Sequence, residues 1–153
     1  MFNSKLTPEQ RLEKAVVAIM AKDRYAALCG IMMVGSRKIV DDVPTACTNG
    51  RDEMYGRAFV ESLSDPELRF LVLHEVYHKL YRHLTTWLWM YKEDPQLANQ
   101  ACDYVINISL ADDNKDGFAT LTGPLLVGCI DDKSRGWDTA IVFADLKKQG
   151  TGG

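Results

Sequence analysis

The chain has 153 residues, 46% of them apolar and 25% charged, with a formal net charge of -3. That composition excludes a disordered tail and suits one domain with a real core, and it leaves no basic surplus for nucleic acid. The longest uncharged run, Gly117–Ile130, is too short to span a bilayer, and no apolar stretch follows Met1-Phe2-Asn3-Ser4-Lys5. The expectation is one domain over 1–149 with a flexible tail at 150–153, working in the cytoplasm without a membrane partner. The four cysteines, Cys29, Cys47, Cys102 and Cys129, form no CxxC pair. They are expected to be reduced and mostly buried.

Thr7-Pro8-Glu9-Gln10 is a capping box with Pro at the first helical position. Leu12, Ala15, Val16, Ile19 and Met20 follow at helical spacing, which predicts a helix over Pro8–Lys22. Ala26–Val34 is apolar and ends at Gly35-Ser36, so it reads as a buried strand, with Lys38-Ile39-Val40 as its hairpin partner. Thr45–Thr48 is a further extended piece. Asn49-Gly50 is a hairpin signal, and Arg51–Arg57 would be the returning strand. Together these predict a small sheet, mixed or antiparallel.

Ser64-Asp65-Pro66-Glu67 is a second capping box and opens a helix expected to run from Asp65 to about Tyr91. Asp94-Pro95 restarts it as N-cap and first residue of a helix over Pro95–Leu110. Asp112–Gly117 matches only the first half of a calcium loop. Position twelve is Gly123 rather than Glu, so the stretch reads as a solvated loop. Thr120–Ile130 reads as irregular chain and Trp137–Lys148 as a short last helix.

All three histidines, His74, His78 and His83, fall within ten residues. His74-Glu75-Val76-Tyr77-His78 is H-E-x-x-H, expected by chance about 0.003 times in a chain of this composition. Side chains four apart on a helix lie about 40° apart and one turn along, so two imidazoles can share a metal. The intervening Glu75 can reach a water bound to that metal.

A catalytic zinc site takes three protein ligands and keeps one position open. His83 lies nine residues past His74, about 180° round a straight helix. Asp103 belongs to a stripe, Asn99, Asp103 and Asn107, on a mostly apolar helix, and such a stripe needs partners. A metal and the groups that support its ligands would supply them. Glu93 and Asp94 are further candidates, although Asp94 already has a capping role.

Three segments then carry a family resemblance: Val43–Arg51, Leu63–His78 and Ala101–Asn107. In this order they resemble the metallopeptidase domain of bacteria and their phages that is often followed by a von Willebrand A-like module. The resemblance covers most of Val43–Leu146, and the expectation is a domain without that module. It implies an α+β, zincin-like fold, with the HExxH helix under a small mixed sheet whose edge strand lines the substrate cleft. It also implies zinc on His74 and His78 with Glu75 as catalytic base, and it favours Asp103 as third ligand. A His at the position of His83 is common in the family, which a supporting role would satisfy.

The chemistry so indicated is zinc-dependent hydrolysis of a peptide or protein substrate. Tyr81, seven residues past His74 and on the same helix face, is the first choice to stabilise the oxyanion, with Tyr104 and His83 as others. Two other readings compete. The zinc could serve a structural, interaction-module role, for example in a phage-encoded subunit. Alternatively Trp87, Trp89 and Tyr91 could form a partner surface.

Overall fold

The computed structural model describes residues 5–83, 88–121 and 131–151, without the side chains of 81–83 and 151. In chain order it contains α1 (Pro8–Met20), a 3-10 segment (Asp23–Leu28), α2 (Cys29–Met32), β1 (Arg37–Val40), β2 (Ala46–Thr48) and β3 (Glu53–Gly56). Then follow α3 (Arg57–Ser62), α4 (Asp65–His83), α5 (Leu88–Glu93), α6 (Pro95–Asp113), a 3-10 turn (Asp132–Ser134) and α7 (Thr139–Thr151). The class is α+β, mostly helical with one small sheet.

The helix starts behave as their residues dictate. Thr7 Oγ1 accepts from the Gln10 amide at 3.1 Å, while Gln10 Oε1 accepts from the Thr7 amide at 2.9 Å. Ser64 and Glu67 repeat this reciprocal pair at the start of α4. Asp94 Oδ1 accepts from the Leu97 amide at 3.1 Å, with Pro95 opening α6. Each box satisfies amides that the first helical turn leaves without partners.

The apolar run 26–34 is not a strand. Its buried residues, Leu28 and Met32, continue from Tyr25 at spacings of three and four, the period of a helix. Cys29 and Ile31 are half-buried and the others are exposed, Met33 to 73%, so the run buries one helical side rather than the two faces of a central strand. β1 therefore has no hairpin partner before it. It pairs in parallel with β3, and β2 pairs with β3 antiparallel, giving a mixed sheet in the order β1-β3-β2.

The β2–β3 hairpin does turn at Asn49-Gly50. Asn49 Oδ1 accepts from the amides of Arg51 and Asp52, and Gly50 adopts φ 95, a left-handed value that suits glycine. The returning strand is shorter than expected. Gly56 ends it and α3, absent from the sequence reading, begins at Arg57.

The long helix expected to reach Tyr91 is described as α4 to His83 and α5 from Leu88, with Trp87 outside the described residues. Most of Thr120–Ile130, together with Cys129, also lies outside them. α6 runs one turn past Leu110, and α7 extends through Gly150 to Thr151. The loop after α6 is exposed at Lys115, Asp116 and Gly117, as expected of a solvated loop, and is anchored at two points. Arg24 pairs with Asp116 at 2.8 Å, and the buried Asn114 amide donates to Tyr25 Oη at 2.6 Å. Of the cysteines, Cys102 is buried, Cys29 half-buried and Cys47 exposed, contrary to the expected burial of most of them.

The main core gathers α1, α3, α4, the sheet and the inner face of α6. A second cluster joins Met90, Ala98, Ala101, Val142 and Phe143 between α5, α6 and α7. α6 belongs to both. No helix among the described residues is long and apolar enough to cross a membrane.

Candidate metal centre

α4 passes through the middle of the molecule. Phe70 to Val76 are all buried in succession, so this helix has no solvated face at the level of the histidines. Polar groups in that position need partners. α6 supplies them, crossing α4 with its own polar stripe.

Asp103 Oδ1 lies 3.0 Å from His74 Nε2 and 2.6 Å from His78 Nε2, and the two Nε2 atoms are 3.0 Å apart. One carboxylate oxygen and two ring nitrogens thus meet at one point. His74 Nδ1 lies 2.7 Å from Asn107 Oδ1. An amide oxygen only accepts, so Nδ1 carries the proton, and the Nε2 lone pair of a neutral His74 is directed at the shared point. His78 Nδ1 is buried without a hydrogen-bond partner, which leaves Nε2 as that ring's only engaged nitrogen.

The electrostatics follow from this packing. Burial works against ionisation of Asp103, but the hydrogen bonds from His74 and His78 outweigh it and hold the carboxyl at about 2. Burial pulls His74 down, while Asp103, the Glu75 charge and Asn107 raise it overall. Burial pushes the Glu75 carboxyl up, against the histidines and with the charges of Asp103 and Glu53.

This donor set fits a divalent transition metal such as zinc, which takes imidazole nitrogen and carboxylate oxygen. The 2.6–3.0 Å spacings are slightly tighter than the edge of about 3.3 Å in a tetrahedron with 2.0–2.1 Å bonds. Among the described residues, His74, His78 and Asp103 are the group able to hold a metal.

The group opens into a cleft of about 490 Å³. One wall is Thr45–Thr48 of β2 and its approach. The other is Tyr91, Pro95, Gln96 and Asn99, with Glu75 on the floor beside the histidines. Among the described residues β2 pairs with β3 alone, which makes it an edge strand of the sheet. Phe59 and Leu71 add apolar surface.

The other sequence candidates are placed differently. The side chains of Tyr81 and His83 lie outside the described residues. Tyr104 packs in the second cluster and does not line the cleft. Glu93 pairs with Lys147, and Asp94 caps α6, so neither joins the metal group. Trp89 is half-exposed and stacks edge-on against Phe143 of α7, whereas Tyr91 turns to the cleft.

Behind α4 lies a polar cluster that the sequence reading missed. Lys79 and Glu53 are both fully buried, with Nζ 2.9 Å from Oε2. Lys79 also donates to the Val34 carbonyl at 2.7 Å. Arg37 holds both Glu53 oxygens, and Tyr55 donates to Oε1 at 2.5 Å. The available signal was a lysine immediately after the second histidine of a helix otherwise rich in buried residues.

A family model described as "Putative metallopeptidase domain" matches residues 7–153 of the chain. No curated protein and no solved structure matches it.

Proposed function

The chain belongs to this metallopeptidase-domain family, and from that premise we propose that it is a zinc-dependent peptidase acting on extended polypeptide in the cleft between β2 and α6. The observation that carries the reading is the convergence of His74, His78 and Asp103 on one point beside Glu75, in a cleft lined by the edge strand β2.

A zinc ion held by these three residues supplies a Lewis acid and a water of lowered pKa. The remaining work falls to the chain. Glu75 is buried on the cleft floor, next in sequence to His74, where its carboxylate takes the proton of the attacking water and later gives it to the departing amine. Asn107 holds His74 in the tautomer that presents Nε2. An extended substrate lies along the edge strand β2, which lines the cleft, in the manner of an added strand. Recognition by main chain in this way favours unfolded protein over any one side chain.

Metal analysis of purified protein is expected to give about one zinc per chain. Glu75→Gln should retain the zinc and abolish cleavage of an unfolded protein. Retention of cleavage by Glu75→Gln, or a zinc-loaded wild type that cuts nothing, would overturn the reading.

A further inference from the structure

The stripe on α6 has three polar members, and two of them have duties. Asn107 orients His74, and Asp103 faces both histidines. Asn99 stands one turn before Asp103 on the same face and lines the cleft. It is half-buried, and its carboxamide has no hydrogen-bond partner among the described residues. A polar group in a concave site loses water when a substrate enters, so an unpartnered amide there must find its bond on the substrate or be penalised.

The other donors of the cleft are fewer than its lining suggests. Among the described residues no Lys or Arg lines it. Thr48 Oγ1 donates to the Asp52 carbonyl at 2.7 Å, and Thr45 Oγ1 points to the Ala46 carbonyl at 3.4 Å. Tyr91 Oη lies 3.3 Å from Cys102 Sγ. Gln96 is one turn further from Asp103 than Asn99 and exposed. Asn99 thus combines two free N–H donors, partial burial and the shortest helical path to the ligand carboxylate.

We propose that the Asn99 carboxamide, lining the cleft one turn from Asp103, donates a hydrogen bond to the scissile carbonyl oxygen and holds it as negative charge develops there. This rests on the peptidase reading above and gives it an oxyanion donor built on a rigid helix. The carbonyl oxygen gains charge as the water oxygen bonds to its carbon, so a donor fixed beforehand strengthens most in the transition state. Removing one such donor costs about 10²–10³ in kcat.

The test uses the zinc-loaded full chain, fluorophore-labelled carboxymethylated casein as substrate and a phosphinic pseudo-dipeptide as transition-state probe. Asn99→Ala favours the helix, and Asn99→Leu keeps the size without a donor, so both variants should fold. Both are expected to keep wild-type zinc content, lose about 100-fold in kcat with KM within twofold, and bind the phosphinate about 100-fold more weakly. A zinc-loaded Asn99→Ala with wild-type kcat overturns the role of Asn99 and leaves the peptidase reading standing. A matched loss in KM alone also overturns it, since Asn99 would then only bind substrate. Absence of cleavage by the zinc-loaded wild type overturns both.

Discussion

At the scale of single residues, the centre is held by side chains that each exclude alternatives for a neighbour. The Asn107 oxygen fixes the His74 proton on Nδ1, and Asp103 engages both Nε2 atoms. Loss of a group that orients a metal-binding histidine typically costs 10–100-fold in metal affinity. Asn107→Leu should therefore weaken zinc binding by about that factor in chelator competition, whereas Asn107→Asp, which still accepts from Nδ1, should stay nearer wild type. Equal affinities for the two variants would show that the bond to His74 does not matter. Much of this centre was legible in the sequence. H-E-x-x-H is a local pattern within one helix, and Asn99, Asp103 and Asn107 repeat at one-turn spacing. That Asp103 meets the histidines depends on how α6 crosses α4, which spacing within either segment does not encode.

At the scale of elements, two devices hold α4 in place. Arg11 of α1 donates to the Val60 and Leu63 carbonyls at 2.7 and 2.6 Å and to Asp65 at 3.1 Å, clamping the start of the helix. The hydrogen bond from Arg11 holds the Asp65 carboxyl below its ordinary value, with Lys14 adding to it. A depressed folded value means the contribution is fully present above the unfolded value of about 4 and is lost as pH falls through the folded one. Arg11→Met should thus flatten the acid side of the stability curve below about pH 4, read by urea unfolding at a series of pH values, and an unchanged curve would discount the clamp. The second device is the buried cluster. Among the described residues, Glu53 is the carboxylate bonded to both Arg37 and Lys79. Removing it leaves the buried Lys79 and the partly buried Arg37 without their carboxylate, so Glu53→Leu should cost about 3–5 kcal/mol. Lys79→Met leaves Glu53 still paired with Arg37 and should cost clearly less. Equal costs would contradict the pairing. This cluster escaped the sequence reading because its members come from β1, β3 and α4, and a charged residue in a short motif reads as solvated until its neighbours are known. The segment at 26–34 escaped for another reason, since an uninterrupted apolar run carries no period that separates strand from helix.

At the scale of the whole molecule, the three candidate metal ligands lie on the two helices that organise the core. His74 and His78 come from α4 in the main core, and Asp103 comes from α6, which also belongs to the second cluster with α5 and α7. An ion shared by these residues ties the two clusters together and exists only in the folded chain, because in the unfolded chain Asp103 is 25 residues from His78. Binding to the folded state alone stabilises by RT ln(1 + [L]/Kd), about 4 kcal/mol when free zinc is a thousand times Kd. Without the ion, two imidazoles and a carboxylate remain packed together in a largely buried site, a costly arrangement for polar groups. Chelation should therefore lower the thermal midpoint, by about 8–16 °C for a loss near 4 kcal/mol in a chain of this size. His78→Ala and Asp103→Ala should show little or no response to chelator. The expected order in calorimetry is zinc-loaded wild type highest, then apo wild type, with each ligand variant insensitive to zinc. A midpoint for the wild type that zinc and chelator leave unmoved would mean that the three side chains meet as a hydrogen-bonded cluster and bind no ion.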